Sequence, residues 1–292
     1  MSTPPVEATD TDGLLAWGER VRRDLPWRHT RDPWAVLVSE VMLQQTQAAR
    51  VVPKWEEFLD RWPTPAAAAG APLAELLAVW SGLGYPRRCK ALHDTARVVT
   101  ERHGGALPAD LRSLMDLPGI GPYTARAVLA FAFEHDVGVV DTNIARVLAR
   151  RSGGSLTTRQ AQQLADDLVA PGTGWAHNQS LMDLGALLCR PTPACDDCPL
   201  AATCAWALEG WPEPDPAVGS AGVSTRQGPF EGSDRQARGR VLRAVADRPL
   251  ALADLAPLLG WTGDASRALR VAHSLVDDGL LRETDHGFAS VG

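Results

Sequence analysis

Apolar residues recur at spacings of three and four from about residue 13 to about residue 206, and Pro, Gly or Asp marks most of the breaks. The pattern predicts a run of helices, and no stretch there alternates as a strand would. Residues 1–12 read as a loose tail. The segment 207–233 turns rich in Pro, Gly and Ser from Gly210 and reads as a linker. Residues 234–292 make a second, small unit. Within it, 235–249 fits a helix stopped by Pro249, and 250–261 fits one with Asp254 and Gly260 near its ends. A third helix fits 264–281, capped by Asp264 and ended by Gly279, and 282–291 has strand-and-turn character. Three helices and a small hairpin suggest a winged-helix-like module; a helical tail packed on the main domain fits the same pattern. No solenoid repeat is present. The expected fold class is mainly α, with residues 13–206 as the principal domain.

Composition narrows the class. With 292 residues, 45% hydrophobic and 22% charged, the chain can bury a core and is not generally disordered. No apolar run approaches the ~18 residues of a membrane span. The first 13 residues are acidic and lack the apolar stretch of a signal peptide, so a cytoplasmic protein is expected. Five cysteines in that compartment argue against a disulfide scaffold. The net charge of -6 does not suggest a nucleic-acid binder, yet binding needs only a local basic face. Lys54 and Lys90 are the only lysines, and Tyr85 and Tyr123 the only tyrosines.

Four stretches carry candidate chemistry. In the first, 32–48, Asp32 can cap a helix that has Pro33 in its first turn. Trp34, Leu37, Val38, Val41 and Met42 form an apolar stripe, while Glu40, Gln44 and Gln47 fall on one helical face. That face reads either as an exposed polar stripe or as an acid held against apolar walls. In the second case the carboxyl has a raised pKa, which suits a general acid. The second stretch, 117–131, begins Leu-Pro-Gly-Ile-Gly-Pro-Tyr-Thr-Ala. Gly119 and Gly121 allow a tight turn, and Pro122 opens the next helix. Such a turn between helices presents backbone N–H groups to a phosphate and grips DNA without reading its sequence.

In the third stretch, 137–150, Asp141 follows a short apolar run and opens a helix. It reads as an N-cap, and the same position suits a carboxylate that the helix dipole keeps ionised beside a developing cation. Asn143 lies within the first turn. The fourth is Cys189, Cys195, Cys198 and Cys204, spaced C-x5-C-x2-C-x5-C. Four thiols packed this tightly indicate a metal site. One central pair flanked by single cysteines favours a 4Fe-4S cluster over zinc, whose sites commonly show two separated pairs. Cys89 stands apart and reads as structural.

In this order the motifs resemble the helix-hairpin-helix superfamily of base-excision glycosylases with an iron–sulfur loop, and within it adenine DNA glycosylases of the MutY type. The resemblance covers roughly 13–206. It rests on LVSEVMLQQTQ, with LPWR (25–28), GLGY (82–85), LPGIGPYTA, VVDTN and MDLGALLC following at the family's spacing. It implies removal of adenine mispaired with 8-oxoguanine or guanine in duplex DNA by a monomer, nucleoid-associated when acting. Glu40 would protonate adenine N7, and Asp141 would stabilise the oxocarbenium-like sugar. Tyr123 and Asn143 would support them. Gln44, Gln45 and Tyr85 would contact the duplex, the last two as wedges, with Gly119 and Gly121 shaping the hairpin. Trp27, Arg28 and Gln179 would line the adenine pocket. A sister branch cleaves the strand with a lysine where this chain has Tyr123, so weak or absent lyase activity is implied.

Two departures stand out. The family's first cysteine gap is one residue longer, and the 60 or so residues after the linker are too few for the Nudix-like domain many members carry. The same scaffold acting on uracil or thymine opposite guanine, and a non-catalytic redox or damage sensor, stay open as alternatives. The arginines of 235–243, with Arg267 and Arg270, would add phosphate contacts if they face DNA.

Overall fold

A computed structural model describes residues 8–223 and 228–291. Residues 1–7 of the expected loose tail, 224–227 of the expected linker, and 292 lie outside the described residues. In chain order the helices are α1 (Ala8–Val21), α2 (Pro33–Leu43), α3 (Ala48–Arg61), α4 (Pro65–Gly70), α5 (Leu73–Trp80), α6 (Pro86–Arg102), α7 (Leu111–Met115) and α8 (Pro122–Phe131). Then come α9 (Thr142–Ser152), α10 (Thr158–Asp167), α11 (Gly174–Leu187), α12 (Ala205–Leu208), α13 (Asp234–Asp247), α14 (Leu252–Leu259) and α15 (Ala265–Asp277). The strands are β1 (Leu250–Ala251), β2 (Leu281–Thr284) and β3 (Gly287–Ser290), so the fold is mainly helical.

The chain forms two compact units that are not consecutive in sequence. Among the described residues, one comprises 8–33, 109–111 and 121–223; the other comprises 34–108, 112–120 and 228–291.

In the first unit α11 packs against α1, α8 and α9. Leu14 and Trp17 of α1 meet Ile144, Val147, Leu148, Leu181 and Leu184 in the core. Close approach needs Gly185, where a Cβ would lie 2.6 Å from the Cβ of Asn143. That contact sets α11 flush against the first turn of α9. The chain start differs from expectation. α1 begins at Ala8, inside the expected loose tail, and its Asp10 pairs with Arg151 of α9 at 2.7 Å. The expected linker is likewise anchored in its first half. Asp215 meets the buried Arg150 at 2.6 Å, and Ser220 accepts from the Leu156 N–H at 3.0 Å. A guanidinium buried this deeply needs a counter-charge, and the linker supplies it.

In the second unit α4 and α5 pack on α6. Helix α2 is buried from Trp34 through Met42, so it is not the one-faced helix the spacing suggested. Trp34 Nε1 donates to the Trp62 carbonyl at 3.0 Å, and Trp55 Nε1 donates to the Ala35 carbonyl at 2.8 Å, fixing α2 at its start. Residues 228–291 belong to this unit. Ser233 caps α13, Asp264 caps α15, and Gly260 closes α14 in the left-handed region at φ 74°. The strands make an antiparallel sheet in the order β1-β3-β2, with Leu250 opposite Phe288 and Leu281 opposite Ser290. Strand β1 falls where a helix start was expected. Val241, Leu255, Val271, Leu275 and Phe288 form the core here, and Leu77 of α5 packs onto it.

Candidate active site

Glu40 is the one charged residue of α2, and it is only 5% exposed. The exposed-stripe reading of its face is therefore excluded. The face also ends earlier than expected. Helix α2 stops at Leu43, so Gln44 lies in a turn and Gln47 is the N-cap residue of α3. What stops the helix is Gln45, whose φ of 55° is left-handed.

Tyr85 is the other candidate wedge, and it too is left-handed, at φ 49°. It stands at the start of α6, directly before Pro86. Gln45 is exposed and Tyr85 half-buried, and both line a cleft of about 350 Å³ together with Trp80, Phe230, Arg235 and Arg243. Arg235 Nη1 donates to the Tyr85 hydroxyl at 3.3 Å. Arg235 thus faces a tyrosine, Arg238 pairs with Asp278, and Arg267 pairs with Asp234 at 2.7 Å. These arginines of the C-terminal segment are engaged in the unit's own contacts.

The glycine turn after α7 is closed by the Ile120 N–H donating to the Leu117 carbonyl at 3.2 Å. Thr95 Oγ1 donates to the Pro118 carbonyl at 2.7 Å. Gly119 is left-handed at φ 72°, and a Cβ there would lie 2.6 Å from the Ala91 Cβ. A side chain is excluded on both counts. Gly121 is the N-cap of α8, with Pro122 in the first turn and Tyr123 half-buried beside it.

In the first unit Asp141 is the N-cap of α9. Its Oδ1 accepts from the N–H groups of Asn143 at 2.9 Å and Ile144 at 2.7 Å, and its Oδ2 accepts from Asn143 Nδ2 at 3.1 Å. Asn143 Oδ1 accepts in turn from Arg146 at 3.0 Å, and Arg146 also donates to the carbonyls of Gly185 and Cys189. Burial pushes the Asp141 carboxyl above its ordinary value, while the three hydrogen bonds and Arg146 act in the opposite direction. The helix start alone does not set its ionisation.

Trp27 and Arg28 lie in a short 3-10 turn, Pro26–Arg28, and both are buried. Arg28 makes a two-pronged pair with Asp183, at 2.7 and 2.9 Å, and also donates to the Arg23 carbonyl. Arg23 reaches the same carboxylate at 2.5 Å. Burial alone would raise the Asp183 pKa; the bonds from Arg28 and Arg23 outweigh it and hold the carboxyl below its ordinary value. Gln179 is buried one turn earlier on α11.

All four clustered cysteines line one cavity, closed by Val147, Leu184, Leu200 and Trp206. Arg150 Nη1 donates to Cys189 Sγ at 3.4 Å. Burial pushes the Cys198 thiol up to about 11 and raises Cys189 and Cys204, so thiolate ligation must be driven by a bound cation. No group of three or more His, Cys, Asp or Glu among the described residues is placed to hold a metal ion. The shared cavity and the soft donor set are what fit a cluster. Cys89 is fully buried outside this group.

Residues 38–171 match the HhH-GPD superfamily of base excision DNA repair proteins. The adenine DNA glycosylase of Mycobacterium tuberculosis is 43% identical over 98% of this chain and 94% of its own length. The chain belongs to the adenine DNA glycosylases. The human adenine DNA glycosylase is 42% identical over 65% of this chain and 38% of its own. Among solved structures, a thermostable thymine-DNA glycosylase aligns at TM-score 0.65 and 32% identity, over 68% of this chain and 95% of that one. An endonuclease III trapped on DNA aligns at TM-score 0.60 and 23% identity, over 69% of this chain and 95% of that one, a likeness of fold. As an adenine DNA glycosylase the protein is a DNA-binding base-excision repair hydrolase. The superfamily match spans Glu40, Tyr85, the glycine turn, Asp141 and Asn143. No helix among the described residues is long and apolar enough to cross a membrane.

Several residues at these positions escaped sequence reasoning. Asp183 lies in MDLGALLC, but its role is not legible there, because its partner Arg28 is 155 residues away. Arg146 and Arg150 carry no local signal beyond being arginines.

Proposed function

We propose that the protein removes adenine from mispairs with 8-oxoguanine or guanine in duplex DNA, with Glu40 as general acid and Asp141 as the carboxylate facing the sugar. Glu40 gives its proton to adenine N7 as the C1′–N9 bond breaks, and the bonding electrons leave with the base. Asp141 stabilises the resulting sugar cation until water adds at C1′ and loses a proton. Tyr123 and Asn143 support the two carboxyls. Trp27, Arg28 and Gln179 line the adenine pocket, with Asp183 holding Arg28. Gln44, Gln45 and Tyr85 contact the duplex where the adenine leaves the stack, a movement that costs a few kcal/mol. The turn at Gly119 and Gly121 seats a phosphate on its backbone N–H groups. The observation that carries this reading is that the one charged residue of the apolar helix α2, Glu40, is buried. Burial of a carboxyl is costly, and a proton donor for a poor leaving group is what such a site provides.

Cys189, Cys195, Cys198 and Cys204 would hold a 4Fe-4S cluster. When bound, it supplies a rigid scaffold for the loop after α11, and Arg150 and Arg146 beside Cys189 offset its thiolate charge. Tyr123 in place of a lysine leaves no amine nucleophile in the hairpin, so strand cleavage is weak or absent. The protein acts as a monomer. Action on thymine or uracil opposite guanine is the second reading, favoured by the thymine-DNA glycosylase alignment. Base release from a panel of duplexes tests the proposal: adenine opposite 8-oxoguanine, adenine opposite guanine, and thymine or uracil opposite guanine. Release confined to thymine and uracil would replace the reading.

A further inference from the structure

Two non-glycine residues near the candidate site hold left-handed backbones, and they are the two assigned as wedges. Gln45 has φ 55° and Tyr85 φ 49°. L-residues adopt this region at a cost, so the surroundings must over-determine it. The side chain of Arg88 reaches both loops. Arg88, on α6, sends Nη1 to the carbonyls of Val41 at 2.8 Å, Met42 at 3.2 Å and Gln44. Its Nη2 goes to the carbonyls of Leu83 at 3.2 Å and Gly84 at 3.0 Å, and to Thr46 Oγ1 at 3.3 Å.

The division between the two nitrogens is informative. One serves the open C-terminal carbonyls of α2 and the turn that leads to Gln45. The other serves the turn that leads to Tyr85 and also reaches Thr46 Oγ1, just after Gln45. The Gln44 carbonyl belongs to the peptide group entering Gln45, and the Gly84 carbonyl to the one entering Tyr85. Each bond therefore orients the peptide plane on which a left-handed residue hangs. The guanidinium also stacks at 5.2 Å from the Tyr85 ring centroid and 5.7 Å from that of Trp80. Thr46 Oγ1 ties the same loops by reaching the carbonyls of Leu83 at 3.2 Å and Gln44 at 3.3 Å. Burial pulls Arg88 down to about 10, so it stays charged at neutral pH.

We infer that Arg88 is a positioning residue for duplex invasion, a planar fork that holds the Gln45 and Tyr85 loops in register so that both side chains enter the DNA together. The inference rests on the wedge roles of Gln45 and Tyr85 proposed above. A lysine has three donors on a point charge and no flat fork, so it cannot make all six of these contacts.

The test is the single-turnover rate of adenine release by Arg88→Lys and Arg88→Gln on two duplexes. In one, adenine is fully paired opposite 8-oxoguanine; in the other it sits in a one-nucleotide bulge, where unstacking is cheap. Loss of register is expected to cost about 10- to 100-fold on the paired duplex and far less on the bulged one, because misplacement of this kind acts through geometry. The melting temperature is expected to change little in at least one variant. Equal losses on both duplexes, no loss on either, or failure of both variants to fold would overturn the inference. Gln45→Ala and Tyr85→Ala, measured alongside, separate the two layers of the argument. If they spare the paired-to-bulged ratio, the wedge reading fails; if they change it and the Arg88 variants do not, the inference alone fails.

Discussion

Asn143 donates to Asp141 at 3.1 Å while accepting from Arg146 at 3.0 Å, so one amide links the candidate cation-stabilising carboxylate to an arginine of its own helix. Burial raises the Asp141 pKa and the Asn143 side chain opposes that rise. Only the ionised carboxylate can stabilise a sugar cation. Asn143→Ala removes an opposing bond, so the folded-state pKa rises further and the acid limb of the single-turnover rate profile moves to higher pH. The N-cap bonds to backbone N–H groups remain, so folding should persist. A profile of lower rate with an unmoved acid limb would assign Asn143 a role apart from the carboxylate.

The Arg28–Asp183 pair predicts a pH-dependent stability. Their side chains are 3% and 1% exposed, and Asp183 has a pKa held below its ordinary 3.8. A depressed folded-state pKa contributes stability that is present above the unfolded value and is lost as pH falls through the folded one. Asp183→Asn leaves Arg28 buried against a neutral partner and is expected to cost about 3–5 kcal/mol at neutral pH. Denaturant unfolding at pH 7 and below pH 4 checks this: the gap between the native protein and the variant should narrow in acid. A constant gap would show that the carboxylate charge is not what the pair contributes.

The cysteine cavity predicts iron. Protein purified without oxygen should carry about four irons per chain and be brown. Cys198→Ser should lose colour and iron and melt earlier, because Cys198 lines the cavity around which the loop between α11 and α12 is wrapped. Stoichiometric zinc without iron would show that the shortened first gap selects a different metal.

Residues 228–291 pack on α5 and α6 through Leu77 and through Arg87 to Asp278 at 3.3 Å. A chain ending after Val223 is expected to melt earlier and still release adenine in a single turnover. Because Arg238 and Arg267 are tied to Asp278 and Asp234, removing the segment should flatten the salt dependence of DNA binding by only about one or two units of slope. A loss near six units would mean that all the arginines of α13 and α15 reach phosphates.

What could be read in the sequence were features with local causes. Asp141 before a helical run gave the N-cap, Gly119 gave the turn, and an acid inside an apolar run gave Glu40. The end of α2 was not readable, because Gln-Gln-Thr-Gln has no helix breaker. Arg88, 47 residues on from Val41, takes up the carbonyls that end leaves open. The anchoring of the linker was hidden for the same reason, since Asp215 meets Arg150 across 65 residues. The division into two units is equally non-local, because the last 64 described residues join the unit that begins at Trp34. Composition and periodicity report neighbours in sequence, and these features depend on neighbours in space.

The most direct test of the account is Glu40→Gln, which keeps size and polarity and removes the proton. Single-turnover release of adenine opposite 8-oxoguanine is expected to fall about 10²- to 10⁴-fold, with duplex binding retained. Release at a near-native rate by a variant that binds normally would contradict Glu40 as the general acid.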